Sequence, residues 1–215
     1  MELGSIAAAV HRLRTASPQP AVFGARHHGF VLNPPLAEEE VAAFERRYKV
    51  RLPADYRRFL TEVGNGGAGP HYGLLRLGER ADMRGLVRWE ENDGTVGVLS
   101  EPFPHTGPWN DLTGQPTEDD EDDPRYDEKT DAFYEQYFRP EYVNGALPLS
   151  ELGCALSQWL VVTGPEAGHV WCDYRSDYRG ILPFTLGAQE RVGFLQWYSA
   201  WLEEAVTKLR PEGGA

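Results

Sequence analysis

Apolar positions along the chain change period twice, from helical to extended and back to helical. Ile6, Val10 and Leu13 recur at i, i+4 and i+7, which predicts a short N-terminal helix within residues 1–15, broken by Pro18 and Pro20. Val41, Phe44 and Tyr48 mark the buried face of a helix at about 37–48, after a turn in which Pro34 and Pro35 disfavour helix. The next helix is the best delimited. Pro53 suits its first position, Tyr56, Phe59, Leu60 and Val63 fall at i, i+3, i+4 and i+7, and Gly64, Asn65, Gly66 and Gly67 favour the left-handed backbone that ends a helix. Lys49-Val50-Arg51 joins these two helices as a helical hairpin.

After Gly73 the pattern becomes short extended runs at 74–77, 96–99, near Leu147, 159–163, 169–174 and 181–184, bounded by Gly and Pro. The short links among the last three predict a mainly antiparallel sheet. A final helix is expected from about Val192 to Leu209, with Phe194, Trp197, Tyr198, Trp201, Leu202, Ala205 and Leu209 on one side. The expected fold is α+β, with a helical hairpin and terminal helices packed on a mainly antiparallel sheet, as one domain over residues 1–215.

One stretch, an insertion at about 101–145, breaks this rhythm. It contains the six consecutive acids Glu118, Asp119, Asp120, Glu121, Asp122 and Asp123. A loop of this length inside a compact domain is either functional or disordered. Within it, the aromatic run Asp131–Phe138 is expected to dock back on the body as a short helix, which leaves 113–128 as the most mobile part.

Composition adds a partner class. The chain of 215 residues is 41% hydrophobic and 12% aromatic, enough for one substantial core. Its net charge is −12, of which the six acids carry half. That balance argues against direct contact with a nucleic-acid backbone and for a protein partner with a basic surface. No stretch approaches the roughly 20 apolar residues of a membrane span, and no leader pattern opens the chain, so a cytoplasmic protein without membrane contact is expected. Cys154 and Cys172 are too few for a disulfide framework or a zinc site, and both are expected to be buried thiols.

Catalytic and cofactor signals are weak. Gly64-Asn65-Gly66-Gly67-Ala68-Gly69 matches G-x-G-x-x-G, but it follows a helix where a dinucleotide site needs a strand. Asp119, Glu121 and Asp123 alternate like calcium ligands, yet Pro124 stands where that loop needs Gly. His27, His28, His71, His105 and His169 carry no zinc-protease or nucleophile motif around them. No cofactor, metal or enzymatic activity is therefore expected, although convergence of His27, His28 and His71 in one pocket would reopen a hydrolase reading. Trp159, Trp171, Trp197 and Trp201 sit in strand and helix patterns and are expected in the core. Trp89 and Trp109 lie in polar or Pro-rich contexts and are candidate contact residues.

The combination Leu52-Pro53-x-Asp55-Tyr56, Phe59-Leu60, Asn65-Gly66-Gly67 and Tyr72-Gly73 resembles the SUKH superfamily of the Smi/Knr type. Leu36 to Glu45 looks like its first helix, and Gly153-Cys154, Leu160 to Gly164, Gly168 to Trp171 and Phe194 to Leu202 look like its later elements. The resemblance covers roughly residues 36–202. It departs at Ala37, where a capping Ser or Thr is usual, and in the acidic insertion. It implies a binding fold, in most members an immunity protein that neutralises a bacterial polymorphic or contact-dependent toxin, in a fungal branch a regulator or scaffold holding a cellular partner. On the immunity reading, Glu118 to Asp123 with Asp127 and Glu128 would steer a basic toxin such as a nuclease, while Trp89 or Trp109 would anchor it.

Overall fold

The computed structural model describes residues 2–16, 21–82, 85–90 and 96–209. Among them are α1 (Leu3–Thr15), α2 (Ala25–His28), α3 (Glu38–Tyr48), α4 (Ala54–Glu62), α5 (Tyr126–Tyr137) and α6 (Phe194–Thr207). The strands are β1 (Glu79–Asp82), β2 (Gly85–Arg88), β3 (Ala146–Gly153), β4 (Leu156–Val161), β5 (Val170–Asp173) and β6 (Ile181–Pro183). β1 and β2 form an antiparallel hairpin, while β3 to β6 form a four-stranded antiparallel sheet in chain order. The α+β class read from the sequence holds.

Register divides the work of the four-stranded sheet. Ser157 lies opposite Glu151 and Asp173, and Trp159 opposite Pro148 and Trp171, so these side chains share one face. Gln158, opposite Ser150 and Cys172, points to the other. That second face meets α6, where Trp197 Nε1 donates to Gln158 Oε1 at 3.0 Å. The first face is covered by the insertion: the rings of Phe103 and His105 lie 4.9 and 6.4 Å from that of Trp171. Helices and insertion therefore pack on opposite faces of the sheet.

The helical layer forms because its apolar stripes coincide. Phe194 of α6 meets Tyr56 and Phe59 of α4 at ring separations of 4.7 and 5.1 Å, and Ile6, Ala9, Val10 and Leu13 of α1 are buried in the same cluster. Each large side chain so buried contributes about 1.5–3 kcal/mol of transfer free energy. Polar side chains then fix the ends. The α6 N-cap is Gly193, which has no side-chain acceptor, and Asp55 of α4 supplies one: its Oδ2 accepts the Leu195 N–H at 3.0 Å. At α3 the Glu40 carboxylate accepts the Ala37 N–H at 2.8 Å, but Ala37 has no side-chain oxygen to cap in return and only its backbone carbonyl accepts the Glu40 N–H, at 3.0 Å.

The Asn-Gly-Gly turn after α4 is fixed by backbone contact. Asn65 Oδ1 accepts the Leu77 N–H at 2.8 Å, and Asn33 Nδ2 donates to the Asn65 carbonyl at 3.0 Å. Gly67 has φ of 98° and bridges both Leu32 and Leu74; a Cβ there would lie 2.3 Å from the Val31 carbonyl. Only glycine fits. Tyr198 of α6 closes the turn, donating to the Ala68 carbonyl at 2.8 Å.

The structure corrects four expectations. Residues 74–77 make only single-residue bridges, because Leu74 is shared between Gly67 and Ser150. Residues 96–99 form no strand: the Val98 N–H is taken by the Asn144 side chain at 2.8 Å and its carbonyl by Gly145. Trp89 is core, 1% exposed, rather than an exposed anchor. Its N–H continues the hairpin to the Gly78 carbonyl, and this turns the ring in against Tyr48 at 4.8 Å. Cys154 is exposed, because it and Ala155 occupy the two left-handed positions of the tight β3–β4 turn. Within 113–128 lie a 3-10 turn at Glu118–Asp120 and the start of α5.

Candidate protein-binding interface

Helix α5 is built from two adjacent stripes of different character. Tyr126, Thr130, Phe133 and Tyr137 fall at i, i+4, i+7 and i+11; Phe133 and Tyr137 are buried against the body, and their rings stack at 5.1 Å. Asp127, Asp131, Tyr134 and Phe138 repeat the same spacing one residue on and face outward. The exposed rings continue beyond the helix. Tyr134 lies 6.0 Å from Phe138 and 6.5 Å from Tyr178, whose hydroxyl meets that of Tyr134 at 2.5 Å. This contact pushes the Tyr178 phenol up to about 12.

A buried ion pair holds this helix to the sheet. Arg175, 5% exposed, binds Asp173 with two hydrogen bonds of 2.9 and 2.6 Å and offers Nη1 to the carbonyls of Tyr137 and Arg139. The Tyr137 carbonyl ends α5, where a helix presents partial negative charge, and that of Arg139 lies just beyond, so one guanidinium serves both the sheet carboxylate and the helix terminus. Trp109 secures the other side. Its backbone pairs with Ile181 at 2.8 and 2.9 Å, and its ring lies 4.2 Å from Tyr142, 5.3 Å from His105 and 5.6 Å from Tyr137. Half-buried in this stack, Trp109 rivets the insertion to the sheet.

The acids expected as partner-binding fall into two sets. Asp120 and Asp123 both bind Lys129, at 3.3 and 2.9 Å, and Asp120 also closes a turn on the Thr117 N–H at 3.0 Å. These bonds hold both carboxyls below the ordinary aspartate range, led by the Thr117 N–H for Asp120 and by Lys129 for Asp123. Glu118, Asp119, Glu121, Asp122, Asp127 and Glu128 are exposed. Across 111–138, eleven carboxylates face only Arg125 and Lys129, which places −9 of the chain's −12 on this segment. The exposed rings of Tyr134, Phe138 and Tyr178 lie on the same face, and none of them stands out as a contact candidate in the sequence. The doubled stripe of α5 was the available signal for the first two; nothing local marks Tyr178.

His27 and His28 do line one groove, and His71 sits beside it, 6.1 Å from the Phe23 ring. His71 is not part of the groove lining, so the three do not converge in it. His28 Nδ1 accepts the Phe30 N–H at 3.0 Å, so its proton sits on Nε2, and burial together with neighbouring His27 pushes its pKa down to about 4. No group of side chains suited to a metal occurs among the described residues, and no described helix is long and apolar enough to cross a membrane.

Neither a curated protein nor a solved structure matches the chain. The sequence profile of one family does, over residues 35–183, from the turn before α3 to the end of β6. The matched stretch contains the α3–α4 pair, the Asn-Gly-Gly turn and the whole antiparallel sheet, and covers more than half of the chain. The chain belongs to the SMI1 / KNR4 family (SUKH-1).

Proposed function

We propose that this protein is a non-enzymatic immunity protein that binds a toxin domain with a basic surface through the insertion. Family membership supports a toxin-immunity-type domain and a protein partner; the insertion face supports the finer reading. One observation carries it. The segment with most of the net charge is docked on the sheet by a buried arginine and displays contiguous exposed rings, Tyr134, Phe138 and Tyr178, beside its carboxylates.

The two components have different physical roles. Carboxylates such as Asp119, Glu121 and Asp122 steer a cationic partner and speed encounter, an effect screened by salt. Aromatic side chains exclude water and supply the contacts that slow dissociation. A cleft that handles nucleic acid would suit such a face, because its cations are arranged for phosphates.

The test is capture of a partner by tagged protein from source cells, with two variants beside the parent. One carries Ser for the six acids Glu118 to Asp123, the other Ala at Tyr134, Phe138 and Tyr178. The parent is expected to recover a toxin polypeptide. With that toxin purified, the Ser variant should associate at least tenfold more slowly at low salt and lose most of its salt dependence, and the Ala variant should dissociate faster. Equal rates for all three proteins would sink the insertion face as the interface. Recovery of only a housekeeping or envelope protein would overturn the immunity reading.

A further inference from the structure

A second surface, remote in chemistry from the insertion, lies between α2 and the Gly73–Glu79 segment. It is a groove of about 880 Å³, lined among others by Val31, Tyr72, Leu75, Leu86, Glu79 and Glu151. Its rim is unusually apolar for a surface: Phe23 is 60% exposed, Leu86 63%, Val31 41% and Tyr72 38%. The rings form a wall, with Tyr72 5.4 Å from Phe23 and 4.5 Å from His27. Tyr72 is also fixed to the sheet. Its N–H reaches the Glu151 carbonyl at 3.3 Å, and its ring covers Gly153, where a Cβ would lie 3.2 Å away.

Two carboxylates lie within this apolar frame, neither well supplied with donors. Glu79 Oε2 is buried and has no hydrogen-bond partner among the described residues; only its Oε1 approaches Arg76, at 3.8 Å. Glu151 accepts no side-chain hydrogen bond from the described residues and is partly buried beside Asp173. Burial, and secondarily the charge of Asp173, pushes its carboxyl up to about 7. The other charged or titratable side chains in the lining are His27, His28, which is neutral at pH 7, and Arg76, whose Nη2 leans to Asn33 Oδ1 at 3.4 Å. A desolvated carboxylate oxygen without a donor is a cost to the folded chain that a cationic donor would remove.

We infer that this groove is a separate binding site for a protein segment that inserts an arginine or lysine side chain between Glu79 and Glu151 and lays flanking apolar side chains on Phe23, Val31 and Leu86. The geometry favours a segment over a free cation. The volume exceeds what one alkyl cation fills, and the exposed apolar rim offers area only to neighbours of the charged residue. Within the lining, the carboxylates select the charge, Tyr72 provides a ring face for the stem or guanidinium, and the rim holds the flanks. His27, His28 and Val31 of the lining precede residue 35, as does Phe23, which packs on Tyr72, so one wall of the site lies outside the stretch that marks the family. The site does not depend on the insertion or on the identity of its partner.

The probe is the capped tripeptide Ac-Leu-Arg-Leu-NH2, titrated into isotopically labelled full-length protein at pH 8 and followed by amide NMR. Its neutral isostere, with citrulline for arginine, serves as the matched control. Saturable shifts are expected at Val31, Tyr72, Leu75, Leu86 and Glu151, with affinity at least tenfold weaker for the citrulline peptide and for Glu151→Gln, which is close in shape to the native side chain. The same groove shifts should persist when Glu118 to Asp123 are replaced by Ser, which separates this site from the insertion face. Shifts confined to 118–135, or groove shifts of equal affinity with the citrulline peptide, would overturn the proposal. So would unchanged affinity in both Glu151→Gln and Glu79→Gln.

Discussion

The turn after α4 and the insertion over α5 are both rich in polar side chains, yet they spend them differently. In the first, Asp55, Asn33, Asn65 and Tyr198 each bond a backbone group of another element: the Leu195 N–H, the Asn65 carbonyl, the Leu77 N–H and the Ala68 carbonyl. In the second, the only backbone groups that Asp120 and Asp123 of the acid run bond are those of near neighbours, the Thr117 and Arg125 N–H, while Asp119, Glu121 and Asp122 face water. A polar group bonded to backbone fixes a shape, whereas a solvated one leaves a field. The motif that identifies the family therefore belongs to the scaffold, while the face proposed for recognition is built from residues the motif does not contain.

The contrast breaks hardest at the point where the insertion borrows scaffold chemistry. Arg175→Ala should cost about 3–5 kcal/mol, because it leaves Asp173 buried and unpaired and removes a donor from the Tyr137 carbonyl at the end of α5. Urea unfolding would measure the loss. Hydrogen exchange would locate it, with protection falling in α5 and β5 before α6. Uniform loss across the chain would show that the insertion is not a separately anchored layer.

A smaller effect comes from Glu151, a scaffold residue that behaves like neither region. Its carboxyl, pushed up to about 7, holds its proton more tightly when folded than the ordinary 4.5. Stability therefore falls as pH rises from 4.5 through 7, where the folded chain must ionise a desolvated group. Glu151→Gln removes this penalty. The variant should match the parent below about pH 4.5 and exceed it above pH 7 by about 1–2 kcal/mol, a range already reduced for partial exposure. Denaturant midpoints at pH 4 and pH 8 would check it; a constant offset at both would mean that Glu151 acts through packing alone.

The sequence made the scaffold readable because its signals are local. The stripes of α1, α3, α4 and α6 and the glycines after α4 each act within a few turns of chain, and all four helices lie close to where periodicity places them. What was hidden depends on partners distant in sequence. Trp89 is charged on both sides along the chain, but a single hairpin bond to Gly78 turns it inward. Tyr178 joins the exposed ring cluster only because Arg175 brings α5 to that end of the sheet. The groove carboxylates Glu79 and Glu151 are seventy-two positions apart, and no local pattern relates them.

The finest test pairs two aspartates of one chain. Asp55 caps α6 from another helix, so Asp55→Ala removes an acceptor from an N-terminus whose own cap residue, Gly193, cannot replace it. Loss of such a cap costs about 1 kcal/mol, within a range of about 0.5–2, and should lower the melting temperature by several degrees. Asp119, exposed in the acid run and bonded to nothing among the described side chains, has no such duty. Asp119→Asn should leave melting unchanged while slowing association with a basic partner at low salt. If Asp119→Asn lowered the melting temperature as Asp55→Ala does, the division between shape-fixing and field-making carboxylates would fail. If Asp55→Ala slowed association without affecting melting, α6 and not the insertion would have to be reconsidered as the recognition element.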